Sequence, residues 1–265
     1  MNIFLFELKS HLKSQLIWIL VLCSVAYFFM LIYPVFYDNS AQMIEVIGRY
    51  PKEVLIAFGF DMDQFFSAIG FYSFVLVYVE LIAAMQAIML GLGTVGRELR
   101  LRTTEFIITK PVKRMSILFA KLMAILLILI TTNGLLTLSS HLAISQVSQD
   151  PYSTQAFILI SISIFLLQLI FASIGILLAV TFRRLRSIAP VSLGIVFGFF
   201  VVNMLKAIFD DPWIKYISPF QFFDKYAIVK TESLGLEFVL WTIVLIVSML
   251  VFSFVYFDRK DIHAV

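Results

Sequence analysis

Long apolar runs, separated by shorter mixed segments, set the pattern of this chain. They cover approximately residues 16–37, 70–95, 117–140, 156–182, 188–209 and 236–257. About 20 mostly apolar residues let a helix cross the hydrocarbon of a bilayer, and each run reaches that length. The runs are continuous rather than alternating, which excludes the strands of a membrane β-barrel. The pattern predicts an all-α fold. It is a polytopic membrane protein with six transmembrane helices, forming a single transmembrane domain over residues 1–265.

Residues 1–15 have a different pattern. Leu5, Leu8, Leu12 and Leu16 share one arc of a helix, with Glu7, Ser10, His11 and Ser14 on the opposite arc. This predicts an N-terminal interfacial helix lying in the headgroup plane. The alternative is a straight extension of the first span. The run that follows is too long for a signal core and lacks a small-residue cleavage site, so it reads as a permanent span. Composition agrees with the pattern. Of 265 residues, 61% are hydrophobic and 14% are charged, against about 25% charged in an ordinary soluble domain. A folded monomer of this size buries only about 75% of its chain surface, so the excess apolar surface must face lipid. That excludes a soluble enzyme, a disordered chain and a nucleic-acid-binding domain. Membrane lipids are expected partners and nucleic acid is not.

Charge then orients the bundle. Lys9, Lys13, Arg97, Arg100, Arg102, Lys110, Lys113, Arg114, Lys121, Arg183, Arg184, Arg186, Arg259 and Lys260 fall on the side shared by both termini and the second and fourth loops. The opposite side holds Arg49, Lys52, Lys206, Lys215, Lys225 and Lys230, and most of the acids. By the positive-inside rule both termini are cytoplasmic. The outer loops are then 38–69, 141–155 and 210–235. The last carries Trp213, Tyr216, Phe220, Phe222, Phe223 and Tyr226, which predicts a helix resting at the outer interface. Asp61 and Asp63 resemble half of a calcium loop whose other half is absent, and a solvated loop is the better reading.

Few residues carry chemistry. One cysteine, Cys23, allows no disulfide within the chain. His11, His141 and His263 fall in three different segments, which speaks against a metal centre. Neither an H-E-x-x-H zinc motif nor a pair of acids within spans is present, so a membrane enzyme has no nucleophile or base to use. Glu80 is the one ionisable residue deep inside a span. Two readings of it stand level: a polar gate or pathway residue, or a packing carboxyl that is protonated or hydrogen-bonded. Ala83, Ala84, Ala87 and Gly91 share its face and suit close helix packing. Gln86, Asn133, Gln168 and Asn203 read as hydrogen-bonding glue between helices. Gly194 with Gly198, and Gly175 with Ala179, have small-residue spacing, and packing within the bundle is preferred to a dimer contact for both pairs.

The loop after the second run is the most informative. Residues 96–121 are basic but contain Phe106, Ile107 and Ile108. Thr103 or Thr104 can cap a short helix, Glu105 suits its first turn, and Pro111 ends it. This predicts a short cytoplasmic helix. Its apolar residues either dock a protein or dip among headgroups while Arg100, Arg102, Lys113 and Arg114 hold anionic lipid. The segment resembles the first cytoplasmic loop of permease subunits in the ABC type-2 exporter family. The resemblance rests on Arg97-Glu98, Thr103-Thr104-Glu105-Phe106, Lys110-Pro111-Val112, Arg114 and Ala120-Lys121. Ile217-Ser218-Pro219-Phe220 with Phe223-Asp224, and Phe257 to Ile262 at the end, resemble two further family segments.

The resemblance implies a permease subunit of an exporter, not itself an enzyme, in a bacterial plasma membrane. The chain has no G-x-x-x-x-G-K-[ST] motif and is expected to bind no cofactor. ATP and magnesium would belong to a separate ATP-binding cassette subunit. A second permease copy or a paralogue would complete the transporter. Glu98, Thr104, Glu105, Phe106, Lys110, Pro111 and Arg114 would form the coupling helix and its flanks. The cargo expected from an apolar, aromatic-rimmed bundle is a lipid, an amphipathic peptide or a hydrophobic drug. A non-transporting scaffold or sensor, and an ion-coupled secondary transporter, are the alternatives from other classes.

Overall fold

A computed structural model describes residues 3–97, 114–149, 151–182, 187–205 and 214–259. Among the described residues the chain is helical, without strands. The helices are α1 (Ile3–Asp38), α2 (Ser40–Ile47), α3 (Lys52–Ala57), α4 (Ala68–Val95), α5 (Arg114–Val147), α6 (Thr154–Thr181), α7 (Ile188–Leu205), α8 (Ile214–Ile217), α9 (Lys225–Thr231) and α10 (Leu236–Arg259). A 3₁₀ turn at Pro219–Gln221 separates α8 from α9. Six of them, α1, α4, α5, α6, α7 and α10, are long and apolar enough to cross a membrane. The protein is therefore an all-α, multi-pass membrane protein.

Local chemistry starts two of these helices. Ser67 caps α4 by accepting from the Gly70 amide at 3.1 Å. Ser153 caps α6 by accepting from the Ala156 amide at 3.2 Å. Each hydroxyl satisfies a first-turn donor that has no partner inside its own helix. α5 runs seven residues past the end expected from hydropathy, to Val147. Ala143, Ile144 and Val147 are buried there, and the His141 ring nitrogen Nδ1 lies 3.0 Å from the Tyr152 hydroxyl. Packing thus carries the helix through a polar stretch that reads as loop.

The separate interfacial helix expected over residues 1–15 is not formed. Residues 3–15 continue into the first span as one helix of 36 residues. At 1.5 Å per residue that is about 54 Å, well beyond the roughly 30 Å of a hydrocarbon core. Part of the polar arc turns inward, while Ser10 and Ser14 stay exposed. Glu7 and Gln15 are buried and His11 is half-buried, whereas Leu5, Leu12 and Leu16 are exposed. The polar stripe faces the bundle because it finds partners there.

α4 and α6 form the centre. In its most apolar stretch α4 is 67% buried, against 11% for α7 and for α10. The two central backbones nearly touch. A Cβ on Gly91 would meet the Ala172 carbonyl oxygen at 2.4 Å, and one on Gly175 would meet that of Ile88 at 2.4 Å. Ala84, Ala87 and Ala179 line the same contact, as expected where small side chains let helices approach. The Gly194 and Gly198 pair behaves otherwise. It is exposed on α7, and a Cβ at either position meets nothing within 4 Å. The expected packing of that pair inside the bundle is therefore corrected: it lies on the outside of the protomer.

The end of the bundle opposite the start of α1 is closed by aromatics. Tyr33, Phe36, Phe60, Phe65, Phe71 and Phe74 form a run of ring contacts between 4.4 and 6.0 Å. Residues 218–231 are drawn into this end rather than resting on it. Phe220, Phe222 and Phe223 are buried. Ser218 Oγ donates to the Phe199 carbonyl at 2.9 Å, and Gln221 Nε2 to that of Asn203 at 3.2 Å. The Tyr226 hydroxyl donates to the Gly59 carbonyl at 2.7 Å, and burial pushes its phenol well above the ordinary range. The expectation of an interfacial aromatic helix is thus corrected for Phe220, Phe222 and Phe223, which fill the bundle, and for the half-buried Tyr226, whereas Tyr216 stays exposed and Trp213 lies outside the described residues.

Candidate functional site

Polar side chains inside a membrane bundle are costly unless they are paired, so their partners show what each one does. Among the described residues they gather at three levels along the bundle.

The first level is the end where α1 starts. Lys121 Nζ donates to Glu7 Oε1 at 2.6 Å and to the Thr94 carbonyl at 2.6 Å. Lys121 is 3% exposed and Glu7 1%, so the pair is fully withdrawn from solvent. His11 Nε2 lies 3.1 Å from Thr94 Oγ1 and 3.7 Å from Glu7 Oε2. Beside them the Arg97 guanidinium sits over the Phe6 ring at 5.3 Å, within the range of a cation–π contact. This level joins α1, the last turn of α4 and the second turn of α5.

The second level is a chain of amides. Gln86 Nε2 donates to Gln15 Oε1 at 2.7 Å and to Thr132 Oγ1 at 3.2 Å. Gln168 Nε2 donates to Gln86 Oε1 at 3.0 Å, and Asn133 Nδ2 donates to Gln168 Oε1. Four helices, α1, α4, α5 and α6, are linked through Gln86. The glue role expected of Gln86, Asn133 and Gln168 has this geometry. Asn203 offers only its backbone carbonyl, to Gln221.

The third level holds Glu80. Lys225 Nζ lies 2.6 Å from Glu80 Oε2, and both are buried. Lys225 opens α9, whose N-terminus is capped by Asp224 accepting from the amides of Tyr226 and Ala227. At its C-terminus Glu232 adopts a left-handed conformation with φ of 48°. These caps hold the short helix at the depth where its first lysine reaches Glu80. The carboxylate that sequence left without a charged partner is ion-paired with a lysine that sequence had assigned to an outer loop.

Of the site residues read from sequence, Glu98, Thr104, Glu105, Phe106, Lys110 and Pro111 lie outside the described residues. Arg114 opens α5. Glu80 is placed with Lys225. The structure adds Glu7, His11, Thr94, Lys121 and Lys225. One signal for these was present. Glu7, His11 and Gln15 recur every four residues, a single polar stripe on α1. A polar arc containing Glu7 and His11 suits headgroups as well as buried partners, since both have the same spacing.

Comparison with known proteins adds an independent finding. A family model described as "ABC-2 family transporter protein" matches residues 1–262. Among curated proteins none matches the chain.

Proposed function

Because the chain belongs to the ABC-2 family of transporter proteins, we propose that it is the permease subunit of an ATP-driven exporter. The observation that supports this most directly is the family match over residues 1–262, on a chain with six helices able to span a membrane. In this reading ATP and magnesium are bound by a separate cassette subunit, and this chain holds no cofactor. The cassette docks on the loop between α4 and α5, through Glu98, Thr104, Glu105, Phe106, Lys110, Pro111 and Arg114. The sorting of lysine and arginine supports a cytoplasmic position for that loop and both termini.

Two copies, or this chain and a paralogue, enclose the route. The α7 face with Leu193, Gly194, Phe197 and Gly198 is exposed, with open space over both glycines among the described residues, and suits either a neighbouring permease or lipid. Cassette closure, driven by nucleotide that binds one state better than the other, switches the helices between discrete arrangements. The cargo is a lipid, an amphipathic peptide or a hydrophobic drug, moved outward. Glu80, paired with Lys225 at the far end, is the residue of the pathway that answers to that switch.

The test is purification of the tagged protein from its own membrane in mild detergent. A stoichiometric ATPase is expected to accompany it. Glu105→Ala and Phe106→Asp should release or uncouple that ATPase while the permease still folds. Absence of any ATPase from the native preparation would overturn the reading in favour of a scaffold or an ion-coupled transporter.

A further inference from the structure

The contacts among Glu7, Thr94 and Lys121 lie at the two roots of the loop between α4 and α5. Thr94 is the residue before the last of α4. Lys121 is two helical turns into α5, which begins at Arg114. The Thr94 carbonyl is one of the final four of its helix, which have no amide partner in the helix itself. Lys121 supplies that partner across the mouth of the loop. The same ammonium reaches Glu7, so α1 is fastened to both roots at once.

The arrangement is more specific than a packing contact. An apolar side chain at position 121 would fill the space without importing a charge into a dry interior. The charge is present, and Glu7 stands against it as a counter-ion. Glu7 in turn is only half used. Its Oε1 is taken by Lys121, but the buried Oε2 has no hydrogen-bond partner. Buried acceptors are rarely left open in a finished structure. His11 Nε2 lies 3.7 Å from it, on the same helix and one turn away. Glu7 and His11 both stand on α1, so this contact travels with the helix, and what ties α1 to its neighbours here is the bond to Lys121 and the approach of His11 to Thr94.

We infer that Glu7 and Lys121 are positioning residues of the transport cycle: their ion pair, closed on the Thr94 carbonyl, makes the near ends of α1, α4 and α5 move as one body when the loop between α4 and α5 is displaced. The inference rests on the exporter reading, because it takes cassette closure as the source of that displacement. It adds residues outside the loop to the coupling machinery and gives α1 a part in it.

The experiment uses the permease co-purified with its ATPase, in a Cys23→Ser background carrying Ile228→Cys. Ile228 is buried in the far-end segment, so its reaction with a hydrophilic maleimide reports opening of that end. ATP with vanadate should change the labelling rate of the otherwise native complex by on the order of fivefold or more, the lower range of a coupling between distant sites. Lys121→Met and the charge-free pair Glu7→Gln with Lys121→Met should keep the bound ATPase and its hydrolysis, and lose that change. Lys121→Arg should restore it, since a guanidinium can serve both acceptors. A merely structural pair would lower yield or melting temperature but leave the ATP-dependent change in whatever complex survives.

The charge-free pair keeps the test open where Lys121→Met alone does not fold. Native ATP-dependent labelling in a folded, ATPase-bound charge-free variant overturns the inference. So does failure of both neutral variants to assemble, since the pair is then a strut. If the unaltered complex carries no ATPase, or shows no ATP-dependent labelling, the exporter reading fails first and the inference goes with it.

Discussion

The two buried lysine–glutamate pairs have the same chemistry and the same 2.6 Å separation, but they are built on different parts of the fold. Glu7 and Lys121 stand on α1 and α5, helices of 36 and 34 residues, and the lysine is closed by a backbone carbonyl from a third, α4. Lys225 stands on α9, a helix of seven residues. It reaches down to Glu80 from a segment tied to the helices by scattered side-chain hydrogen bonds, among them those of Ser218, Gln221 and Tyr226, and by the buried rings of Phe220, Phe222 and Phe223. The first pair joins parts of the frame. The second clips a short segment onto the frame. Regions with few independent ties open at lower cost than the body they attach to. The far end is therefore where a transport movement can appear, and the near end is where it must be transmitted.

The largest test of that contrast is to remove one charge from each pair. Lys121→Met leaves Glu7 buried beside an uncompensated carbonyl, on helices that cannot leave the bundle. Breaking a buried pair this way costs about 3–5 kcal/mol. A correspondingly large loss of stability is expected in a detergent unfolding titration. An unchanged titration would mean that the near pair bears no load.

Glu80→Gln should be milder and more local. The freed lysine is on a short segment and can swing to water, so the cost should be nearer the roughly 1–3 kcal/mol of a lost charged hydrogen bond. Trypsin added from the far side should cut at Lys225 or Lys230 faster than in the native protein, while global melting moves little. Equal protection of that segment would show that the clip is as firm as the frame.

A modest effect is expected between the two pairs. Gln86→Leu removes the hub of the amide chain. Interhelical hydrogen bonds in membrane bundles are worth about 0.6 kcal/mol on average and at most about 1.7. Gln86 makes three such bonds, so the expected loss in the same titration is about 2 kcal/mol at the average value, below that of Lys121→Met. A loss as large as that of Lys121→Met would move the main joint of the frame to the level of Gln86.

Legibility from sequence divides along the same line. Glu80 stood out because a carboxylate inside an apolar run is visible in one dimension. Its partner did not, since Lys225 looks like any loop lysine until residues 218–231 are seen to dip into the bundle. Lys121 reads in sequence as one more basic residue on the side of the termini and as part of an Ala-Lys pair at the start of a span. Glu7 and His11 were assigned to the wrong surroundings, because an amphipathic spacing tells which residues share a face and not what that face meets. The two glycine pairs make the same point. Gly175 with Ala179 and Gly194 with Gly198 have identical spacing, but one lies against α4 and the other on the open side of α7.

Hydropathy alone determined that this protein is a bundle of membrane-crossing helices. The cost of leaving backbone groups unpaired in lipid forces each long apolar run to satisfy its own hydrogen bonds as a helix. That requirement is local, so it can be read residue by residue along the chain. Only the tertiary structure decided which buried charge meets which. Glu7 and Lys121 are 114 residues apart in sequence, and their meeting depends on how far each helix is rotated about its axis. That rotation is set by the sum of all contacts around the helix, above all the close approach of α4 and α6 at Gly91 and Gly175, and no single run of residues encodes it.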